Sequence, residues 1–92
     1  MKMKAFKLNG YRAQGELTVL VPPTTPFERG RAVVKIHSDA EIGTYVDNNA
    51  LDCVIKAFLP KSAQKGIRVE SQTVPDDGYL YADNTIVFSF QY

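Results

Sequence analysis

The sequence predicts a small α+β domain: a mostly antiparallel sheet of about four to six strands with one main helix packed on one face. Three observations predict it. Apolar residues alternate with period two in several short segments. One long stretch in the middle carries apolar residues at three- and four-residue steps instead. The connections between segments are short and rich in Gly, Pro, Asn and Asp, which favours antiparallel neighbours. The order read along the chain is β-β-β-α-β-β-β.

Asn9-Gly10 is the first turn, because both residues tolerate positive φ. Beyond Gly15, residues 16–21 alternate, with Leu17, Val19 and Val21 expected on one face and Glu16 and Thr18 on the other. Pro22-Pro23 closes that strand, since proline has no N–H for a ladder. Residues 22–30 hold three prolines and are expected to be extended and stiff. The next strand covers residues 31–37, with Ala32, Val34 and Ile36 inward and Val33, Lys35 and His37 outward.

The helix is expected over about 39–59. Ser38-Asp39-Ala40-Glu41 has the Ser-x-x-Glu spacing of a capping box. Ile42, Tyr45, Val46, Ala50, Cys53, Val54, Ala57 and Phe58 then form one apolar stripe, widened by Leu51, Ile55 and Leu59. Asp39 and Glu41 suit the positive end of the helix dipole, and Lys56 suits the negative end while pairing with Asp52 one turn earlier. Pro60 stops the helix. Its weak stretch is Gly43 and Asp47-Asn48-Asn49, where it would break if it breaks at all.

After a turn at residues 61–66, residues 67–73 alternate again. Pro75-Asp76-Asp77-Gly78 is a turn, residues 79–82 form a short strand, and Asp83-Asn84 turns once more. Residues 85–92 are the last strand, with Ile86, Phe88, Phe90 and Tyr92 on one face.

The 92 residues fit a single domain spanning 1–92, with 45% hydrophobic and 23% charged residues. One cysteine, Cys53, rules out an intrachain disulfide and a Cys-rich zinc site. No apolar run approaches the roughly 18–20 residues of a membrane span, and the first residues lack a signal-peptide core, so a cytoplasmic protein without a membrane partner is expected. Net charge is +1 but unevenly spread. Residues 1–37 carry seven bases and two acids, whereas residues 69–92 carry four acids and no base.

Chemistry-bearing motifs are sparse. His37 is the only histidine, and no Gly-x-Ser-x-Gly signature accompanies it. Cys53 falls on the apolar stripe, where a thiol behaves as a small hydrophobe. Asp76, Asp77 and Asp83 match turn chemistry and no EF-hand spacing. The six glycines form no phosphate loop, so no cofactor is expected. The expected class is therefore a non-enzymatic binding module acting through protein–protein contacts as a regulator or inhibitor. Small domains of this kind are common products of phages and other mobile elements.

Its expected contact residues are Phe27, Arg29 and Arg31. A large apolar side chain in a proline-stiffened polar loop beside two arginines resembles an interface anchor for a partner with an acidic patch. Its rival is a Phe27 folded back over the edge of the core. Nucleic-acid binding is the alternative function. It would use the basic N-terminal third (Lys2, Lys4, Lys7, Arg12, Arg29, Arg31, Lys35) and sheet aromatics among Tyr79, Tyr81, Phe88, Phe90 and Tyr92. Core packing suits Phe88 and Phe90 better, and their flanking segment is acidic. A small enzyme using His37 and carboxylates is the second alternative. The last strand has no Lys, Pro or charge to discourage edge pairing, which leaves a homodimer open.

Overall fold

The computed structural model describes residues 3–39 and 43–92. Its main sheet has five strands in the order β1-β2-β3-β7-β5, with every neighbouring pair antiparallel. The strands are β1 (Lys4–Leu8), β2 (Tyr11–Val21), β3 (Arg31–Ser38), β5 (Arg68–Gln72) and β7 (Thr85–Gln91). A separate two-stranded ladder joins β4 (Thr44–Tyr45) to β6 (Tyr79–Leu80). The helix α1 (Asn48–Phe58) and a single 3-10 turn at Lys61–Ala63 lie between β4 and β5. The α+β architecture and its order are as the sequence predicts, except that the two-residue strand β4 is added before the helix.

β1 and β2 form a hairpin whose two-residue turn is Asn9-Gly10, at φ 52° and 86°. Both angles are positive, as a turn matching the right-handed strand twist requires, and Gly10 meets that demand without strain. The inward faces of the strands and the helix bury Leu8, Ala13, Ala32, Val34, Ile36, Ala50, Val54, Leu80, Ile86, Phe88 and Phe90 together. Leu59 and Ala63, downstream of α1, complete that layer. Phe58 reaches across the sheet at Gly15, where an added Cβ would stand 2.8 Å from the Phe58 ring and 2.4 Å from Ile36. The same ring meets Phe6 edge-on at 5.2 Å.

Three expectations are corrected. The helix begins at Asn48 and not near residue 39. Ser38 ends β3 as a buried residue, its Oγ lying 3.3 Å from Thr44 Oγ1, and Ala40, Glu41 and Ile42 lie outside the described residues. Gly43 sits at φ +82°, a left-handed conformation no helix continues through, and Thr44–Tyr45 extends to pair with β6. The cap is Asp47, whose Oδ1 accepts the Ala50 amide at 2.9 Å. The expected break at Asp47–Asn49 is thus the true start, and the first turn carries no acidic residue. At the other end Leu59 caps α1 directly before Pro60, and Lys56 pairs with Asp52 at 2.9 Å, both as expected.

Leu17, Val19 and Val21 do not share a face. Thr18 is an extra residue in β2, so Leu17 pairs with Val34 on the inward side while Val19 pairs with Val33 on the outward side. The Thr18 hydroxyl donates to the Val33 carbonyl at 2.8 Å. A bulge shifts the alternation by one, which sequence periodicity does not reveal. The last strand is not an edge either: β7 lies between β3 and β5, so its uncharged pattern is that of an interior strand. The edge-pairing argument for a homodimer falls with it.

Candidate protein-contact surfaces

Two exposed surfaces stand at opposite ends of the sheet. The first is the loop from β2 to β3. Its base is held by the C-terminal residue: Gly30 and Tyr92 exchange backbone hydrogen bonds at 2.7 and 2.9 Å, and the Tyr92 hydroxyl donates to the Val21 carbonyl at 3.2 Å. Gly30 is required there, because a Cβ would come within 2.5 Å of the Tyr92 ring. The tip is a turn, with the Glu28 amide donating to the Thr25 carbonyl at 3.2 Å and the Phe27 amide to Thr25 Oγ1 at 3.3 Å. Pro26 pre-sets φ for that turn. The loop is therefore stiff but turned, and not extended as its prolines suggest. Phe27 stands at the tip with 97% of its surface exposed, so it does not fold back over the core.

The two arginines differ. Arg29 donates one guanidinium N–H to the Gly66 carbonyl, which docks the loop on the residue next to the exposed Lys65 and leaves further donors on the fork. Arg31 is engaged through two nitrogens by Glu70, with Nε 3.1 Å from Oε2. Arg31, Gln91 and Arg68 lie side by side across β3, β7 and β5. Among the described residues, the basic first third of the chain thus meets the acidic last third at a single ion pair. Its other bases are spread out: Lys4 reaches the Ala57 carbonyl over Phe58, Lys35 sits mid-strand, and Lys7 and Arg12 line a hollow of about 290 Å³ with Ala5, Phe6, Ala13 and Asp39.

The second surface was not legible as a unit. Tyr45, expected on the buried helix stripe, instead lies on β4 and is 52% exposed. Its ring meets Tyr79 edge-on at 5.3 Å, and Tyr79 stacks with Tyr81 at 6.2 Å. Tyr79 and Tyr81 are 41% and 36% exposed. Two glycines at positive φ lie against these rings: a Cβ on Gly43 would stand 2.7 Å from Tyr81, and one on Gly78 would stand 2.9 Å from Tyr45. Asp77 organises the cluster, accepting the Tyr79 amide at 3.0 Å and the Tyr81 hydroxyl at 3.1 Å. That hydrogen bond to the protonated phenol, with lesser contributions from desolvation and the carboxylate charge, holds the Tyr81 pKa above its ordinary value. Asp76 and Asp83 lie close to Tyr79 and Tyr81 in sequence, both exposed. Asp47 lies on the Asn9 side: Asn9 Nδ2 donates to the Tyr45 carbonyl at 3.0 Å and to Asp47 Oδ1 at 3.1 Å.

Phe88 and Phe90 are buried and stacked at 6.0 Å, so they offer no face to a base. His37 is half-buried on the outward face of β3, with Nδ1 2.9 Å from the Thr85 hydroxyl. Cys53 is half-buried on α1. Among the described residues no three His, Cys, Asp or Glu side chains gather as metal ligands, and no helix is long and apolar enough to cross a membrane. No protein-family model, characterised protein or solved structure matches the chain.

Proposed function

We propose that the protein is a non-enzymatic binding module, a small cytoplasmic regulator or inhibitor of the kind that phages and mobile elements encode, and that it grips a protein partner with the Phe27 loop. One observation carries this reading: a phenylalanine almost wholly in water at the tip of a loop whose base is fixed. An apolar side chain of that size gains by burial only against another molecule, roughly 25 cal/mol per Å² of apolar surface removed from water. The turn at Thr25–Glu28 and the Gly30–Tyr92 bridge order the loop in advance, so association costs less entropy. Arg29 adds a planar fork for a carboxylate on the partner. Arg31 serves the loop from behind, held by Glu70.

Paired measurements of partner affinity and folding stability test the reading. With the partner retained by the tagged protein from its own cells, Phe27→Ala and Arg29→Ala are each expected to weaken binding by roughly 1–3 kcal/mol, while the melting temperature barely moves. A Phe27→Ala protein that melts earlier yet binds as before makes the loop a structural cap and ends the proposal.

A further inference from the structure

The loop and the tyrosine cluster have complementary chemistry and cannot meet within one chain. The loop leaves the sheet beside Val21, Arg31 and Gln91, whereas the tyrosines lie past Ser38, whose side chain touches Thr44. The eight residues of β3 separate them by about 25 Å at roughly 3.3 Å per residue. At one end an exposed Phe27 stands near Arg29, which holds Gly66 next to Lys65, and Arg68 lies level with Arg31 at the foot of the loop. At the other, three partly exposed tyrosines hold Asp77 by hydrogen bonds and Asp47 through Asn9, Asp76 and Asp83 are exposed within the same stretch of chain, and no Lys or Arg follows residue 68. Lys7 and Arg12, in the neighbouring hairpin, share their hollow with Asp39.

We propose that the tyrosine cluster is the docking surface for the Phe27 loop of a second copy of this chain, so that copies add head to tail. This rests on the reading of Phe27 as a contact residue and names the partner. Phe27 would meet tyrosine rings edge to face, and the Arg29 fork would lie over a ring or against Asp76. Both the knob and the plate are needed, and each chain carries one of each at opposite ends. Such a contact is heterologous: it leaves a free loop on one copy and a free cluster on the other, and it grows unless rotation closes a ring. One loop on one cluster is a small interface, so assembly belongs at high protein concentration and weakens with salt.

Sedimentation velocity on the full chain and on two single variants tests this. Phe27→Glu breaks the loop and Asp76→Arg breaks the plate, with Asp83→Arg as a second reversal should Asp76→Arg lower the melting temperature. Wild-type protein is expected to grow beyond a dimer as concentration rises into the high micromolar range, and each variant alone to associate at least about tenfold more weakly. Mixed in equal amounts, the two variants should form a 1:1 dimer and nothing larger, because only one intact loop–cluster pair exists between them. A wild-type monomer throughout, or a mixture that stays monomeric, overturns the inference. A photo-reactive residue replacing Phe27 in the native cells then separates the two proposals. Cross-linking to a peptide containing Tyr45, Tyr79 or Tyr81 of a second copy supports both. Cross-linking to a different protein and not to itself ends the head-to-tail inference and leaves the binding module standing. Cross-linking to no protein ends both.

Discussion

Arg31 on β3 and Glu70 on β5 are joined by a two-pronged ion pair that spans the intervening β7. A bulge makes it possible: Val69 pairs with Phe90 and Ser71 with Ser89, and Glu70 is the extra residue between them. The bulge re-aims its side chain toward the row that contains Arg31.

This pair is expected to add little stability. The side chains are 57% and 31% exposed, so water screens the attraction, and such pairs contribute about 0–1 kcal/mol. A double-mutant cycle with Arg31→Ala and Glu70→Ala should return a coupling below about 1 kcal/mol that shrinks as salt is added. A coupling several times larger, unchanged by salt, would show the pair to be effectively buried. Because its fork is engaged by Glu70, Arg31→Ala should also weaken partner binding less than Arg29→Ala does.

The largest single core loss is expected at Phe88 or Phe90. Both are buried in the interior strand β7, so truncation to alanine should cost on the order of 3–5 kcal/mol. Phe58 reads from sequence as equally deep, yet it is half-buried at the end of α1, packed on Phe6 and over Gly15. Phe58→Ala should therefore cost less than Phe88→Ala in urea or guanidinium melts. The reverse order would mean that the helix, not the sheet, holds most of the core.

What was legible in the sequence is what neighbours in the chain decide. Asn9-Gly10 specifies its hairpin, Pro60 the helix end, and alternation the inward set Ala32, Val34 and Ile36, because each acts within a few residues. Partners distant in sequence decided the rest. Ser38 resembles a cap, but its backbone pairs in β3, and Thr44–Tyr45 is drawn into extension by Tyr79–Leu80. The real cap, Asp47, lay in the stretch marked as weak. Interior and edge strands share one pattern, so only β5 on its far side shows where β7 belongs. Of the two surfaces, the Phe27 loop is local and could be read. The tyrosine cluster could not, since Tyr45 joins Tyr79 and Tyr81 only through the β4–β6 ladder.

Acid should reveal Asp47. Its carboxylate accepts the Ala50 amide and, secondarily, the Asn9 side chain, and these bonds hold its pKa below the ordinary aspartate value. A carboxylate with a lowered folded pKa stabilises the protein above its unfolded pKa, and that contribution is lost as pH falls through the folded value. Asp47→Asn keeps a capping oxygen without the titration. Its stability should therefore fall less steeply than that of wild type as pH drops below about 4. Asp47→Ala should be less stable than either at neutral pH, with faster amide exchange in the first turn of α1. Parallel acid limbs for wild type and Asp47→Asn would show that the cap bond does not depend on the charge.

Tyr92 should control how well the contact loop is ordered, independently of the sheet. Its backbone brackets Gly30, its ring fills the space a Cβ on Gly30 would need, and its hydroxyl reaches the Val21 carbonyl at 3.2 Å. These contacts hold both ends of the loop at one residue, while the tip is held by its own turn and by the Arg29 bond to the Gly66 carbonyl. Tyr92→Phe removes one exposed hydrogen bond and should change little. Tyr92→Ala removes the ring packed beside Gly30 and bonded to the Val21 carbonyl, so more of the loop must be ordered on binding, at about 0.5–1.5 kcal/mol for each side chain immobilised. Hydrogen exchange separates this from general destabilisation. Amides of residues 24–30 should exchange faster in Tyr92→Ala while those of β3 and the middle of β7 keep their protection. Binding through Phe27 should weaken in the same variant. If the loop amides exchange at wild-type rates, Tyr92 is not the clamp, and the order of the loop comes from its prolines, the Thr25–Glu28 turn and the Arg29–Gly66 bond.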